Sequence, residues 1–573
     1  MEPSLLGLVA ALAMYAVSVS PSLMARLWWW HAAASGILMA VGYITGVTMQ
    51  RLGARVIAWT DLQVTASEAV ETGFQVALTG IFLIWWLYSV ISSYFRARRA
   101  ADLVDMPRQT FPGYVLGALG SIGVAALIIS FFDALQSIGQ QVLRVLDQWL
   151  PTWVAYAAAF VIVWTGVILL TSRVILRGGI GFFTRQAEKM NLRTARGIRQ
   201  PVTSSRSGSE HSQATWESVG GQGRVFLGRG PSQDDIAAVT GRPAFEPIRV
   251  YAGMPTGGAT LADRADLLVA ELERTGAFDR SVISLMMSTG SGWVDEWQVQ
   301  PLEYLTGGDC ATASMQYSYV PSAINFLTGL EVSEEAAREM FTRVRQAIQS
   351  RPEGQRPALY VCGESLGAFA SQSVFADGDE VVASVDGALW VGTPAFTPMH
   401  RALTQARHRG SPEVAPVFDN GRHIRFVNRP EDRRKDVYGR ELGRWDFPRV
   451  LFAQHPSDPV VWWNSKLIWT QPDWLRERAG FDVSDDVEFT RFATFIQLLA
   501  DLPVAGMAPG GHGHTYQEEL IPLWESLLGF DRLADESALH PRVASLGGTW
   551  VNDQMRERIS LAINANLALS DRQ

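Results

Sequence analysis

The sequence predicts an α-helical transmembrane bundle of about five spans, followed by an α/β domain whose mainly parallel sheet is covered by helices on both faces. Three observations predict it. Long charge-free apolar runs crowd the chain up to Ser172. From Ile248 onward short β-branched runs alternate with helical periods. A serine flanked by glycines then sits between one such run and a stretch of small residues.

The bulk numbers agree with a two-part chain. At 573 residues it is too long for one ordinary core. Its hydrophobic fraction of 47% and mean hydropathy of +0.06 are high for an enzyme of this size, and the excess lies at the front. With 49 Lys and Arg against 57 Asp and Glu the net charge is −8, which speaks against nucleic acid as a partner. Two cysteines, Cys310 and Cys362, do not make a disulfide framework and are expected as free buried thiols. No Cys and His pairing of the zinc type is present, so no metal and no cofactor is expected.

The five apolar runs, 3–25, 27–50, 72–95, 109–132 and 148–172, each match the roughly 20 residues that cross a bilayer core of about 30 Å. The first is the weakest, because Pro21 can stop its helix short of crossing. Trp28, Trp29, Trp30, Trp85 and Trp86 are expected as interfacial anchors. Arg96, Arg98, Arg99 and Arg108 follow the third run, and Arg173, Arg177, Arg185 and Lys189 follow the fifth. The positive-inside rule puts both segments, and all that follows, in the cytoplasm, with the loop carrying Asp61 outside. The expectation is an integral multi-pass protein of the inner (plasma) membrane. The segment 134–150 has an apolar helical face suited to lying along the membrane surface.

Domain limits follow: a transmembrane domain over 1–190, a linker over 191–245, rich in Arg, Ser and Gly, and a catalytic domain over 246–573. Within the last, strands are expected at 248–252, 282–287, 358–362, 387–391, 423–427 and 450–454, and helices at 261–275 and 333–349.

The segment Gly363-Glu-Ser365-Leu-Gly367 has the form G-x-S-x-G, preceded by an apolar strand and followed by a small-residue helix. That is the nucleophile elbow of an α/β-hydrolase domain, where Gly363 and Gly367 let strand and helix approach without a Cβ between them. A serine at its normal pKa needs a base, and the base an orienting acid, in the chain order serine, acid, histidine. Asp458, after the strand at 450–454 and before a proline-initiated turn, is the preferred acid. Asp432 and Asp436 compete, but they sit in a charged loop with Arg433, Arg434 and Lys435. The base comes from Gly511-His512-Gly-His514, with His514 preferred and His512 the alternative. For the oxyanion hole the backbone N–H of Leu366 supplies one donor, and Thr289 or Gly290, after the strand at 282–287, the other. The stretch 460–507, with Trp462, Trp463, Trp469 and Trp474, is a possible cap, and Tyr317 and Tyr319 are further candidates for the site wall.

Taken together, these motifs resemble a family of bacterial membrane proteins that join an N-terminal multi-span domain to an α/β-hydrolase catalytic domain. The resemblance rests on Ser20–Arg26 (SPSLMAR), Thr289–Asp295 (TGSGWVD), Gln316–Pro321 (QYSYVP), Gly363–Gly367 (GESLG), His455–Trp463 (HPSDPVVWW) and Gly511–His514 (GHGH). Met24 and Ala25 depart from the more Leu- and Pro-like residues expected there. The resemblance implies esterase- or lipase-like activity with Ser365, Asp458 and His514 at the matching positions. The leading expectation is a serine hydrolase acting on acyl esters, lipidic because the chain sits at a membrane, with membrane lipids as surroundings. Alternatives are an acyltransferase using the same acyl-enzyme, or a catalytically inactive membrane receptor or transport-associated protein. Transport is disfavoured because the spans hold no ionisable residue except His31.

Overall fold

The computed structural model describes residues 4–60, 67–170, 172–173, 180–254, 258–321, 325–326, 329–531 and 539–572. Asp61 and Arg177 of the topology argument lie outside the described residues. The chain divides into two compact units: one joins Met1–Gly181 to Ser465–Leu475 and Phe481–Ala508, and the other joins Phe182–Asn464 to Arg476–Gly480 and Pro509–Gln573.

The first unit is helical: α1 (Leu5–Ser18), α2 (Trp28–Trp59), α3 (Glu68–Leu103), α4 (Phe111–Leu146) and α5 (Thr152–Leu170). Hydroxyl caps start three of them, Ser4 accepting from Gly7, Ser67 from Val70 and Thr110 from Gly113. Four are long and apolar enough to cross a membrane, namely α2, Thr72–Leu103 of α3, α4 and α5. The first of the five runs is not among them. Its helix has 14 residues, about 21 Å at 1.5 Å per residue, and it ends before Pro21, which cannot donate to a helix. The amphipathic segment expected along the surface instead continues α4 without a break as far as Leu146.

Small residues let α1 and α2 lie backbone to backbone: a Cβ on Gly42 would meet the Ala10 carbonyl oxygen at 2.4 Å, and one on Gly46 that of Leu6 at 2.4 Å. Trp28 and Trp29 are exposed, as anchors would be, whereas Trp30 turns inward and donates to the Ala500 carbonyl at 2.6 Å. The hairpin Ser20–Arg26 wraps a carboxylate. Asp501 accepts from the Ser22 hydroxyl, from the N–H of Leu23 at 3.1 Å and Met24 at 3.3 Å, and from Arg26 Nε at 2.9 Å. Most of the stretch expected as a cap is thereby built into the helical unit, as 465–475 and 481–507, with Trp474 buried and Trp469 exposed.

The second unit is built on a sheet of seven strands: β1 (Ile248–Ala252), β2 (Val282–Met287), β3 (Cys310–Met315), β4 (Ala358–Glu364), β5 (Gly387–Val391), β6 (Ile424–Val427) and β7 (Arg449–Ala453). Their spatial order is β1-β3-β2-β4-β5-β7-β6, and every pairing is parallel. Side chains alternate between two cores. Ile283, Leu285 and Met287 of β2 face the helices Leu261–Arg274 and Leu330–Gln349, while Val282 and Met286 face Glu296–Leu305 and Leu520–Leu527. β3 escapes a reading based on β-branched runs, because Cys-Ala-Thr-Ala-Ser-Met is made of small residues that suit a strand buried on both faces.

The segment 191–245, expected as a linker, is folded. Arg206 donates to the carbonyls of Leu227 at 3.1 Å and Pro231 at 2.9 Å, and Ser207 donates to Glu271 at 2.7 Å. Arg206, Ser207, Ser209 and Arg224 are thus buried, whereas Arg193, Arg196, Arg199 and Arg242 stay exposed. Arg249 on β1 is fully buried between two carboxylates, 2.9 Å from Glu296 and 2.7 Å from Glu303. Cys310 and Cys362 are free and buried.

Candidate active site

The site forms where the central strands end. β4 runs into the helix Leu366–Gln372, and the residue between them, Ser365, has φ 56° and ψ −121°. A side chain in that region is strained and is held there only by its surroundings. The surroundings are glycines and backbone: a Cβ on Gly363 would lie 2.4 Å from the Gly367 carbonyl carbon, and one on Gly367 would lie 2.2 Å from the Met287 carbonyl oxygen. From Ala358 to Gln372 every residue is buried except Ser365. The turn therefore presents one hydroxyl outward.

The motif His455-Pro-Ser-Asp458 leaves the end of β7 and grips the late histidine loop atom by atom. His455 Nδ1 donates to the Gly513 carbonyl at 2.9 Å, the Gly513 N–H donates to Ser457 Oγ at 2.8 Å, and His514 Nδ1 lies 2.7 Å from Asp458 Oδ2. Asp458 is fully buried and accepts two further bonds, from Val460 N–H at 2.9 Å and from the Tyr516 hydroxyl at 2.9 Å. Tyr516 in turn accepts from the His455 N–H at 3.0 Å and stacks on that imidazole with centroids 4.0 Å apart. Burial, with the Asp458 charge beside it, pushes the Tyr516 phenol well above its ordinary range, so it remains a donor.

His514 thus presents its other nitrogen, Nε2, which has no hydrogen-bond partner among the described residues. The ring rests on Gly392, where a Cβ would come within 2.5 Å of His514 Cε1 and where φ is +55°. The preceding residue, Val391, accepts the Ser365 N–H at 3.0 Å. Ser365 and His514 therefore approach the same two residues at the end of β5, with no hydrogen bond between their side chains. His512 carries no bond to Asp458; its carbonyl closes the turn by accepting from Thr515 at 3.2 Å. The competing acids are spent locally: Asp432 accepts from the N–H groups of Asn428 and Arg429, and Asp436 from those of Tyr438 and Arg440.

Of the expected oxyanion donors, Leu366 opens its helix, so its N–H has no intrahelical acceptor. In the loop expected to supply the second donor, the Thr289 N–H closes a turn onto the Trp293 carbonyl at 2.9 Å, and the Gly290 carbonyl accepts from the Asn325 amide at 2.9 Å. Tyr317 is buried and packs in the core cluster that contains Met287 and Ala370. Aromatic rings gather around Phe396, 4.9 Å from Phe326 and 5.3 Å from the buried Phe369, with Trp463 6.2 Å from Phe326. Phe369 lies one helical turn beyond Ser365.

Behind the elbow two carboxyls meet. Burial raises both Glu364 and Asp295 above the usual carboxyl range; the neighbouring Asp295 carboxyl raises Glu364 further, whereas the Glu296 charge adds to the rise at Asp295 and the Glu364 hydrogen bond opposes it. Asp295 Oδ2 has no donor among the described residues, a need that one proton shared with Glu364 satisfies. Tyr516, Gly392 and Asp295 escape sequence reading because their roles depend on distant partners; the one local signal was Gly392, a glycine closing an apolar strand. Among the described residues no group of three or more His, Cys, Asp or Glu is arranged to hold a metal ion.

Compared with known proteins, residues 248–540 match the model of an alpha/beta-hydrolase family, and residues 19–231 match the model of that family's N-terminus. No curated protein and no solved structure matches the chain.

Proposed function

The chain belongs to this alpha/beta-hydrolase family, and from that premise we propose that it is a membrane-bound serine hydrolase that cleaves acyl esters through an acyl-enzyme. The observation that carries the reading is the 2.7 Å contact of His514 Nδ1 with the buried Asp458 carboxylate, which leaves Nε2 as the basic nitrogen. Ser365 Oγ attacks the ester carbonyl while His514 Nε2 takes its proton, and the imidazolium is steadied by Asp458. The oxyanion draws on the Leu366 N–H and on the loop of Gly290. His514 returns the proton to the departing alcohol, and water, activated by the same nitrogen, releases the acid.

An apolar acyl chain suits the rings of Phe326, Phe396 and Trp463. The four apolar helices keep the enzyme at a membrane, where esters with such chains are concentrated. The arginines at and just beyond the C-terminal end of α3 and the basic residues after α5 favour the cytoplasmic side for the hydrolase unit, and this holds whether or not α1 crosses, because α4 and α5 make an even number of crossings between them. A fluorophosphonate probe is expected to label the purified full chain and not the Ser365→Ala variant; equal labelling of both refutes the nucleophile.

A further inference from the structure

The helical unit carries a polar recess for which ester hydrolysis has no use. It is open and lies among the end of α1, the Ser20–Arg26 hairpin, the last turns of α3 and the start of α4. Its walls include Ser18, Ser20, Ser22, Arg26, Ser93 and Arg96.

The charges around it are matched with one exception. Arg26 is held by Asp501, Arg98 donates to the Tyr94 hydroxyl at 3.1 Å, Arg99 pairs with Asp486 at 2.5 Å, and Arg108 pairs with Asp102. Arg96 is half-buried and has no hydrogen bond or ion pair among the described residues, and its Nε is buried without a partner. A guanidinium N–H removed from water costs free energy until an acceptor meets it, and here it is the Nε of Arg96 that is so placed. The carboxylate on the recess wall, Asp486, is already engaged by Arg99.

Position adds a second constraint. The apolar part of α3 begins at Thr72, and Arg96 lies about 36 Å farther along at 1.5 Å per residue. With a hydrocarbon core of about 30 Å, that is the depth of lipid headgroups, where basic pockets between helices hold phosphate groups. The planar fork of a guanidinium matches two phosphate oxygens, which a lysine ammonium does not.

We propose that this recess is a binding site for a phosphate-bearing anion, with Arg96 as its principal ligand. The same chemistry is offered by a phospholipid headgroup and by free phosphate. The site is independent of the serine triad, so it stands or falls on binding alone.

The test is calorimetric titration of the full chain in neutral detergent, made in the Ser365→Ala background so that no probe is consumed. Three probes are used: dihexanoylphosphatidic acid, inorganic phosphate and dihexanoylglycerol, which lacks phosphate. Saturable binding of the phosphatidic acid, weakened about ten-fold by Arg96→Gln and unchanged by Arg98→Gln, supports a lipid headgroup as ligand. Arg96-dependent binding of inorganic phosphate with equal affinity supports the free anion. If Arg96→Gln does not remain monodisperse, Arg96→Lys serves, since it keeps the charge and loses the fork; it must bind more weakly than wild type. Undiminished affinity in the Arg96 variants, equal binding of dihexanoylglycerol, or no saturable binding of either phosphate probe overturns the proposal.

Discussion

Replacing Tyr516 with Phe removes one oxygen and two hydrogen bonds while keeping the ring stack on His455. The hydroxyl donates to Asp458 at 2.9 Å and accepts from the His455 N–H at 3.0 Å, and both partners are buried. A bond to a charged carboxylate contributes about 1.5–3 kcal/mol, and a buried N–H left without an acceptor costs about 1–3 kcal/mol. Allowing for partial relaxation, Tyr516→Phe should destabilise the hydrolase unit by about 3 kcal/mol. At roughly 2 °C per kcal/mol for a domain of this size, its Tm should fall by about 6 °C. Asp458 keeps its bonds to His514 and to the Val460 N–H, so the imidazole stays oriented and kcat/KM on a short-chain p-nitrophenyl ester should fall by no more than about ten-fold. Tryptophan fluorescence on heating and initial rates on the same preparation read both quantities. A Tm within 1 °C or so of wild type would refute the claim that the hydroxyl is buried and doubly bonded.

Asp458→Asn should be far more damaging to catalysis: an amide facing His514 Nδ1 imposes the wrong tautomer, and kcat should fall by about 10⁴-fold with little change in Tm; a loss under about ten-fold in steady-state rates would remove Asp458 from the triad. The raised Asp295 and Glu364 carboxyls hold a proton that the unfolded chain releases near pH 4. Their contribution is therefore complete below that pH and is lost as pH rises through the folded values, so Glu364→Gln should flatten the decline in Tm above about pH 4; identical Tm profiles would exclude the shared proton. Asp501→Ala strands Arg26 and two backbone N–H groups, a loss of about 3–5 kcal/mol. Limited proteolysis within 481–508 should then be about 100-fold faster, and an unchanged cleavage rate would show that the hairpin does not hold this segment.

Periodicity and local chemistry made most of the architecture legible. Charge-free runs marked the apolar helices, and β-branched runs marked six of the seven strands, because strands buried on both faces must be apolar along their length. The elbow was legible because Gly363 is required by a contact with Gly367, only four residues away, although Gly367 itself answers to the distant Met287 carbonyl. What misled was composition where the physics was tertiary. The Arg- and Ser-rich segment 191–245 read as a linker, yet Arg206 and Ser207 within it are buried donors that tie it to the fold. The tryptophan-rich stretch after Asp458 read as part of one domain, yet most of it belongs to the helical unit.

Residue order by itself determined that a serine, an acid and a histidine of the right kinds follow one another beside a parallel sheet, since spacing, glycines and hydropathy are local properties. Only the folded chain decided which histidine meets Asp458, that the Thr289 amide is spent in its own turn, and that Tyr516 and Gly392 complete the surroundings of His514. Those outcomes depend on ångström distances between atoms far apart along the chain, and no local pattern encodes such distances.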